Sequence, residues 1–553
     1  MRINLFTVSF IIIFYWQSLN ASTNEALYNK YCSHCHHVDR IGSNAPALLP
    51  KKLKKISDQK LISMIKDGFV QTTMPKFDFL SDSELLQIVK YIKSPLNKSL
   101  KWTKKDITNS RVIFDDKKKP LKIKNIEQIT SVVERDGGYI WIMENDKILT
   151  KFPLLNVHGG IKYTMDGESI YIPTRDGWVE RYSLKNGQRV FKTRVCINLR
   201  NITLSKDDKF VMATCLLPKQ IVILDAKTMI PFKIKKLGGK ISALYRLYSK
   251  DKAIFTYRDR AKIGIIDTKT FDIKYTDINE SIEDFFIDPF DEYMIATTRG
   301  GKILRVYELS SLKPVFEYDI EGMPHLFSAT YWYKDGNFYF ATPHLNKPYI
   351  TIWKMYDWEF IKKIQTKGSG YFVKTHPNTP YLWIDNSSDK LTLVDKNNYK
   401  IKTITPVKHK KYIHTEFSGD GKYAYLSIYE HNGSIEVLDT QTFKKLASYD
   451  ANIPVGKYNF INKNRIFYPR LFGREIFEEK CWGCHHEKSS AFGPSFSKIA
   501  NTRSESEIYS YIVAPSHEYK SRGYKRNLMP PFKLNNHELK SIVDYIKKYK
   551  GKE

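Results

Sequence analysis

The sequence predicts a multidomain protein with an all-β eight-bladed propeller at its centre and one small all-α module at each end. Between about Thr130 and Asn464, a unit of short β-type runs joined by Gly or Asp turns returns about every 40 residues, the period of a four-stranded propeller blade. The segments before and after this repeat share a second, helical residue pattern. A short apolar run stands at the N-terminus.

The repeat is most regular at the second strand of each unit. Runs such as Tyr139-Ile-Trp-Ile142 and Tyr423-Ala-Tyr-Leu426 are rich in aromatic and β-branched residues, which favours strands over helices. The runs that open this strand begin at Tyr139, Ser169, Phe210, Ala253, Tyr293, Phe338, Tyr381 and Tyr423. Eight such starts predict eight blades.

Length and composition indicate a folded protein of several domains. A chain of 553 residues is long enough for two or three domains with cores of their own. Its hydrophobic share of 42% and aromatic share of 14% argue against disorder. The net charge of +30 has two interpretations: an acidic partner or membrane surface, or solvated lysines scattered over the surface. We favour the second, and no nucleic-acid-binding motif accompanies the charge.

The N-terminus has the pattern of a secretory signal peptide. A positive Met1-Arg2, an apolar run from Ile3 to Trp16 and a small-residue exit at Ala21 predict cleavage after Ala21. The alternative is an uncleaved anchor, although the run is short for a spanning helix. We expect a periplasmic protein with no transmembrane span after signal removal. The predicted divisions are a signal peptide at 1–21, an N-terminal module at 22–94, a Lys-rich linker with little core at 95–126, the propeller at 127–468 and a C-terminal module at 469–553.

Each terminal module carries a Cys-x-x-Cys-His motif, the attachment signature of covalent haem c. The thiols bind the vinyl groups and the His binds the iron, while a downstream Met is the expected sixth ligand. The two sets are Cys32, Cys35, His36 and Met74, and Cys481, Cys484, His485 and Met529. The alternatives are a redox dithiol or half a zinc site for the cysteines and a core role for Met74.

The two modules repeat each other beyond these motifs. Met74-Pro-Lys-Phe77 corresponds to Met529-Pro-Pro-Phe532, and both modules end in a capped amphipathic helix. Both resemble class I cytochromes c, a family in which a Pro carbonyl accepts the ring N–H of the proximal His; Pro46 is the N-terminal candidate. The predicted fold class is therefore an all-β eight-bladed propeller flanked by two all-α class I cytochrome c domains, with two covalent haem c groups.

Two cysteines lie outside the haem motifs. Cys196 and Cys215 either form a disulfide, which an oxidising compartment permits, or remain two buried thiols.

Several segments of the first two domains resemble the cytochrome cd1 family, in which a cytochrome c is joined to a propeller that holds haem d1. The segments are Leu100-Lys-Trp-Thr-Lys-Lys-Asp-Ile107, Glu134-Arg-Asp-Gly-Gly-Tyr-Ile140, Asn156-Val-His158, Phe372-Val-Lys-Thr-His-Pro377 and Ile453-Pro-Val-Gly-Lys-Tyr-Asn459. The resemblance implies haem d1 as a cofactor or dihydro-haem d1 as a substrate.

The resemblance also implies ligands for this third tetrapyrrole. His158 corresponds to the proximal ligand of the d1 iron. Arg135, Arg175 and Arg200 match positions near its acid groups, where a guanidinium pairs with a carboxylate in a bidentate manner. The alternative for each Arg is a surface role.

On the distal side, the family's nitrite reductases use two histidines. His325 matches the second, whereas Glu283 stands near the first, and a carboxylate there would repel nitrite. The chain therefore resembles more closely the branch that oxidises dihydro-haem d1 during cofactor maturation. His376, His414 and Tyr371 are the candidates for proton handling, and packing or channel-rim roles are their alternatives.

We therefore expect an exported dihaem c-type cytochrome that oxidises dihydro-haem d1 and passes electrons to its c haems. The alternatives are an NO-forming nitrite reductase and a non-catalytic carrier of d1. Expected partners are a small cytochrome or quinol-linked redox carrier and other d1-maturation or nitrite reductase proteins. The C-terminal cytochrome departs from both enzyme classes and would extend the electron path.

Overall fold

The computed structural model describes residues 24–43, 45–68, 74–96, 100–298 and 300–551, so the predicted signal peptide lies outside it. In these ranges no helix has both the length and the apolar character needed to cross a membrane. The chain forms two compact units. Of the described residues, the first unit comprises those within 1–121, 133–140 and 151–244, and the second comprises those within 122–132, 141–150 and 245–553.

Within the described residues the β-strands form eight antiparallel sheets, the blades of the predicted propeller. The strands that the sequence singles out begin at Tyr139, Ser169, Phe210, Lys252, Tyr293, Asn337, Tyr381 and Tyr423; six of these starts are the predicted residues, and two differ by one position. They are the second strands of blades 2 to 8, whereas the strand that begins at Tyr139 is the third of blade 1, because Pro454–Asn459 forms the first strand of that blade. The structure therefore confirms the number of blades, and the phase of the repeat in blades 2 to 8.

Blades 1 to 4 have four strands each, and a further strand lies at the edge of blade 2. Blade 1, in spatial order, consists of Pro454–Asn459, Ile129–Glu134, Tyr139–Glu144 and Lys147–Pro153; blade 2 of Lys162–Tyr163, Ser169–Pro173, Trp178–Ser183, Gln188–Arg194 and Val112–Ile113; blade 3 of Asn198–Leu204, Phe210–Leu217, Lys219–Asp225 and Pro231–Lys236; and blade 4 of Ile241–Leu247, Lys252–Tyr257, Lys262–Asp267 and Ile273–Asp277.

Blades 5 to 8 follow the same antiparallel plan. Blade 5 consists of Ile282–Ile287, Tyr293–Thr298, Ile303–Glu308 and Pro314–Asp319; blade 6 of Met323–Pro324, Thr330–Lys334, Asn337–Leu345, Tyr349–Lys354 and Glu359–Gln365; blade 7 of Val373–Lys374, Tyr381–Asp385, Leu391–Asp395 and Ile401–Ile404; and blade 8 of Tyr412–Phe417, Tyr423–Ile428, Gly433–Asp439 and Lys445–Ala451.

The last strand of the propeller belongs to its first blade. After Pro454–Asn459, the Asn459 side-chain amide donates hydrogen bonds to the carbonyls of Glu127 and Ile129, both at 3.0 Å. Its carbonyl oxygen accepts from the backbone N–H of Ile461 at 2.9 Å. One buried amide thus fixes the two ends of the repeat to each other.

The strands near the middle of each blade are buried on both faces. All five residues of Ser169–Pro173 are buried, as are all but the first of Tyr139–Glu144. Trp141, Trp332 and Trp383 are at most 1% exposed. Large side chains fill the space between packed blades, and this burial drives the fold.

The N-terminal module is all-α, as predicted. Its helices are α1 at residues 24–31, α2 at Ser33–His36, α3 at Pro50–Leu53, α4 at Asp58–Asp67 and α5 at Asp82–Lys93. Ser81 and Glu84 form the reciprocal capping box that the sequence predicts for α5. The buried face of α5 consists of Leu85, Ile88, Val89 and Ile92.

The segment 95–126, expected to be a linker with little core, has ordered structure in the first unit. Helix α6, Lys104–Asn109, buries Ile107 completely in the core of blades 2 and 3. Val112–Ile113 then pairs with the last strand of blade 2. The Lys-rich composition suggested a linker because the segment has few apolar residues, but some of these pack on the propeller, and Ile107 is the best buried of them.

After the propeller the chain forms the helices of the C-terminal module. They are α7 at Phe460–Lys463, α8 at Tyr468–Lys480, α9 at Phe496–Thr502, α10 at Glu505–Val513, α11 at Pro515–Glu518 and α12 at Asn536–Lys547. Single-turn 3-10 helices occur at Ile126–Gln128, Leu326–Ser328, Arg465–Phe467 and Lys520–Arg522. Phe472 and Tyr545 of this module share one hydrophobic core with Phe290 and Phe338 of the propeller.

Cys196 and Cys215 form a disulfide with a Cα–Cα distance of 6.1 Å. Cys215 lies on the second strand of blade 3, and Cys196 lies in the connection from blade 2 to blade 3. Of the two alternatives left open by the sequence, the structure therefore has the disulfide, which suits an oxidising compartment.

Candidate functional site

The N-terminal Cys-x-x-Cys-His motif is folded as a haem c site. The backbone N–H groups of Cys35 and His36 both bond to the carbonyl of Cys32, which brings the two cysteines and the His onto one helical turn. His36 Nδ1 donates to the Pro46 carbonyl at 2.7 Å. This is the bond expected for Pro46, and it leaves the other ring nitrogen available to iron.

Met74 follows in a tightly packed loop. Gly68 has a φ of 66°, and a Cβ at this position would lie 2.8 Å from the Met74 carbonyl oxygen. Glycine is therefore required for the backbone to pass here. Met74 and Cys32 pack against the same hydrophobic cluster, so the structure brings the predicted sixth ligand to the core that holds the first thiol.

The C-terminal site has the same construction. His485 Nδ1 donates to the Pro494 carbonyl at 2.7 Å, and a Cβ at Gly493 would lie 2.4 Å from the His485 ring. A cavity of about 330 Å³, mostly apolar in its lining, lies beside this ring. Its lining includes Cys481, Cys484, His485 and Met529. Thiols, imidazole and thioether on an apolar crevice are the donor set of haem c, so the residues fit that group.

In the first unit, His158 lies among three guanidinium groups. Arg175 Nη2 is 2.7 Å from His158 Nε2. The charges of Arg175, Arg200 and Arg135 all act on this ring. His158 Nδ1 is buried and has no hydrogen-bond partner among the described residues. The structure thus brings together the four residues that the sequence assigned to d1 binding.

Burial, followed by the charges of Arg175 and Arg200, lowers the pKa of His158 to about 3. The imidazole is therefore neutral at physiological pH, and only a neutral imidazole has a lone pair for a metal. The guanidinium groups remain charged and suit the carboxylates of a haem d1-type ligand.

Arg194 is a further residue of the first unit that sequence reasoning missed. Its Nε donates to the Asp176 carbonyl at 3.0 Å and its Nη2 donates to the Ile41 carbonyl at 2.9 Å. Asp176 follows Arg175 directly, and Ile41 lies in the loop after His36. A side chain that is only 4% exposed thus ties the N-terminal haem loop to the loop that carries Arg175.

In the second unit, Asp385 organises the predicted catalytic residues. Its carboxylate accepts backbone hydrogen bonds from Tyr371 at 2.6 Å, from Phe372 at 3.1 Å and from His414 at 3.1 Å. Burial raises the pKa of Asp385 to about 6, although the three N–H donors oppose the shift. His325 adds its Nδ1–H bond to the Tyr371 carbonyl at 2.7 Å. We call these five residues the Asp385 cluster.

Aromatic contacts join the rings of this cluster. The Phe372 ring lies edge-on to His414 with a centroid distance of 4.5 Å and edge-on to His325 at 6.0 Å. His414 has a φ of 51° at a bulge in the first strand of blade 8. Such a bulge re-aims a side chain out of the regular alternation. Tyr371 remains 43% exposed.

His376 lies outside the Asp385 cluster, packed between two blades of the second unit, and its role in proton handling stays a prediction. Its ring fits over Gly421, where a Cβ would lie 2.0 Å from His376 Nδ1. Its Nδ1 accepts from the Asn378 N–H, and burial followed by the charge of Lys396 lowers the pKa of His376 to about 3. His376 packs blade 7 on blade 8, a role that its position in a Lys-Thr-His-Pro segment did not reveal.

Glu283 occupies the first strand of blade 5 and is paired. Its Oε1 lies 3.2 Å from Arg258 Nε, at an angle that makes an ion pair but no hydrogen bond. The pairing reduces the negative potential of Glu283, so repulsion of nitrite is weaker than expected. The lack of an imidazole proton donor at this position is unchanged.

Lys457 is a second residue that sequence reasoning missed. It is fully buried on the Pro454–Asn459 strand, where its Nζ donates to Ser427 Oγ. Burial lowers the pKa of Lys457 well below its usual range, and Glu416 and Asp385 oppose that shift. Its position in the Ile453-Pro-Val-Gly-Lys457 segment was the one available clue.

Comparison with known families agrees with this architecture. The family model of the cytochrome d1 heme domain matches residues 124–463, more than half of the chain. The chain belongs to the cytochrome d1 heme domain family. A cbb3-type cytochrome c oxidase subunit III model matches residues 20–92, and a cytochrome c model matches residues 472–550. The two end modules are therefore sites of covalent haem c, and the propeller is a haem d1 domain.

Individual relatives extend the likeness over most of the chain. The dihydro-heme d1 dehydrogenase of Pseudomonas aeruginosa is 29% identical over 461 residues, which cover 79% of this chain and 94% of the relative. The solved structure of dihydro-heme d1 dehydrogenase NirN in complex with DHE matches with a TM-score of 0.73 and 29% identity, over 80% of this chain and 100% of that one. About a fifth of this chain is thus additional to these relatives.

Proposed function

We propose that this protein oxidises dihydro-haem d1 to haem d1. The observation that carries the proposal is the match to a solved dihydro-heme d1 dehydrogenase over the whole length of that chain. Two arrangements support it: the charges of three arginines act on His158, and Asp385 accepts hydrogen bonds from the backbone of Tyr371 and His414.

The reaction removes one hydrogen from each of two neighbouring carbons of a propionate side chain and leaves an acrylate. Two protons and two electrons must therefore depart. A haem c, when bound, supplies a one-electron acceptor. We propose that the electrons pass to the c haems and then to a small cytochrome or quinol-linked carrier. Export to the periplasm is part of the proposal and is supported by the disulfide Cys196–Cys215.

The first unit would bind the substrate. Arg135, Arg175 and Arg200 would pair with its carboxylates, since each guanidinium offers two parallel N–H donors. His158 would ligate the iron through a neutral imidazole. The substrate carboxylates would neutralise the guanidinium charges that now surround His158.

The Asp385 cluster would handle protons. Burial, followed by the charges of Lys457 and Lys374, lowers the pKa of His414 well below its usual range, so its ring is neutral and able to accept a proton. A carboxylate close to such a ring raises its pKa toward the range of a general base. His325 and Tyr371, which belong to the same cluster, would complete the path by which the protons leave.

Anaerobic mixing of the purified protein with dihydro-haem d1 tests the proposal. We expect the absorption bands of haem d1 to appear while the c haems become reduced. His414→Gln should slow this change by about 10²-fold or more, the usual contribution of a general base, whereas His409→Gln, at an exposed loop position, should leave it unchanged. An unaltered spectrum would refute the proposal, and nitrite-dependent oxidation of the d1-loaded protein would favour the nitrite reductase instead.

A further inference from the structure

The proposed reaction passes electrons to the c haems without assigning a separate step to the C-terminal cytochrome, and this module is built onto the propeller. The Phe472 ring of α8 lies 5.2 Å from Phe338 and 6.4 Å from Phe290, measured between centroids. Phe338 and Phe290 belong to blades 6 and 5 and are at most 8% exposed. A continuous hydrophobic core joins the two domains.

The N-terminus of α12 makes the polar part of this contact. The His537 ring stacks on Tyr356 at 3.9 Å, and its Nε2 lies 2.7 Å from Glu292 Oε2. The next residue, Glu538, accepts a hydrogen bond from the Tyr333 hydroxyl at 2.7 Å. We call Phe290, Glu292, Tyr333, Phe338 and Tyr356 the docking surface.

Buried charges also cross the contact. Lys396 of blade 7 and Glu475 of α8 lie 3.8 Å apart with side chains 8% and 18% exposed. If the module moved away, each charge would lose its partner at a site that still excludes much of the water, which is strongly unfavourable. The contact therefore has the character of a permanent domain interface.

Helix α8 connects this interface directly to the haem site. At its start, the Tyr468 ring lies edge-on to Tyr331 of blade 6 at 4.3 Å. At its end, Lys480 precedes Cys481, the first haem-binding thiol. One helix thus fixes the position of the C-terminal haem site relative to the propeller core of the second unit.

We propose that the docking surface holds the C-terminal haem site as the second electron acceptor of the dehydrogenation. This inference rests on the proposed function. Each substrate molecule releases two electrons and two protons, and each of the two haem c sites, when it holds ferric haem, would supply a one-electron acceptor. Both electrons of one substrate molecule would then stay on the chain until an external carrier binds, and the protons would leave to solvent.

The variant His537→Asp separates docking from folding. His537 is the second residue of α12, where a carboxylate favours the helix because it faces the positive end of the helix dipole. The new carboxylate would face Glu292 and repel it. His517→Asp is the matched control, because His517 is exposed in the same module. Both holoproteins should carry two haems c.

The first measurement counts reduced c haems after the anaerobic addition of one equivalent of dihydro-haem d1. We expect two reduced haems per chain in the unaltered protein and in His517→Asp. In His537→Asp, one haem should be reduced at the unaltered rate and the second at least about tenfold more slowly, since a tethered module samples its contact only part of the time.

The second measurement does not depend on turnover. Limited trypsin digestion should release a fragment with the C-terminal haem from His537→Asp and leave the unaltered protein and His517→Asp intact. If haem d1 forms but only one c haem is reduced in the unaltered protein, the inference fails and the proposed function stands. If no haem d1 forms in any variant, the proposed function itself fails. Release of the fragment without slower reduction of the second haem would also overturn the inference.

Discussion

At the residue scale, Asp385 differs from other aspartates at strand ends in the residues whose N–H groups donate to its carboxylate. Asp395 and Asp439 also end strands, and each accepts hydrogen bonds from backbone N–H groups of its own turn. Asp385 instead bonds residues 13, 14 and 29 positions away. The position of a carboxylate at a strand end is therefore a poor guide to its role, because the role depends on which loops pack beside it.

Arg175 gives a direct test of substrate binding. Arg175→Lys keeps the charge but loses the paired N–H donors, so we expect the affinity for dihydro-haem d1 to fall by about tenfold or more, in line with the loss of a charge-assisted hydrogen bond. Equilibrium absorption titration measures this. Arg181→Lys is the control on the same blade, because Arg181 bonds the Lys227 carbonyl and Ser169 instead. Equal affinities in both variants would contradict the assignment.

The burial of Glu180 predicts a specific dependence of the free energy of unfolding on pH. It is 1% exposed, its Oε1 has no hydrogen-bond partner among the described residues, and burial raises the pKa of Glu180 from 4.5 to about 7. The protonated carboxyl stabilises the fold below pH 4.5, and this contribution of ~3 kcal/mol is lost as the pH rises through about 7.

Glu180→Gln removes this ionisation. Relative to the unaltered protein, its free energy of unfolding should rise by about 3 kcal/mol between pH 4.5 and pH 8, as measured by urea denaturation at both values. Glu168→Gln, an exposed position paired with Lys185 on the same blade, should show no such change. The same pH dependence in the two variants would rule out burial as the cause.

At the element scale, short elements decide where functional groups point. A bulge in the first strand of blade 8 turns His414 toward Phe372, while the regular alternation of the neighbouring strands only packs the core. Two other short elements, helix α6 and the strand Val112–Ile113, attach the Lys-rich segment to the propeller: α6 buries Ile107, and the strand pairs with the last strand of blade 2. A few residues in a Lys-rich segment are enough to dock it.

Arg194 tests how the N-terminal haem loop is fixed. Arg194→Met would leave the buried carbonyls of Ile41 and Asp176 without donors, and we expect a loss of roughly 2–4 kcal/mol in the free energy of unfolding of the first unit. Urea denaturation followed at the haem absorption band measures it. Arg189→Met breaks a more exposed pair with Asp116 and should cost less than about 1 kcal/mol. Equal losses would mean that Arg194 has no special role.

At the scale of the whole molecule, three redox-group domains occur in one chain with a formal charge of +30. The haem c modules repeat one design, in which a Pro carbonyl orients the proximal His at 2.7 Å in both. They differ in their surroundings, because the C-terminal module shares its core with the propeller.

The charge predicts how the protein meets an external electron carrier. Reoxidation of the reduced c haems by an acidic small cytochrome should slow by about tenfold or more between low and physiological ionic strength, because salt screens long-range attraction. Stopped-flow absorbance measures the rates. A neutral small-molecule oxidant is the control and should show little salt dependence. A salt-independent rate with the acidic carrier would mean that the scattered, solvated lysines, the interpretation that we favour from the sequence, do not attract the carrier.

The sequence by itself determined the number of blades and both haem c motifs, because strand alternation and the Cys-x-x-Cys-His spacing involve residues close in sequence. The resemblance to class I cytochromes c implied the bond from His36 to Pro46, ten positions away. The family resemblance also placed His158 with its arginines. Arg135 and Arg175 lie in strand-connecting turns of blades 1 and 2, and Arg200 lies on the first strand of blade 3.

Only the tertiary structure decided which groups share a site. It joined Arg194 to Ile41 across 153 positions, gathered Tyr371, His325 and His414 around Asp385, and left His376 between two blades. It also seated the C-terminal cytochrome on the docking surface. Such contacts depend on how blades and helices pack, and the sequence does not indicate which distant residue a buried charge or ring will contact.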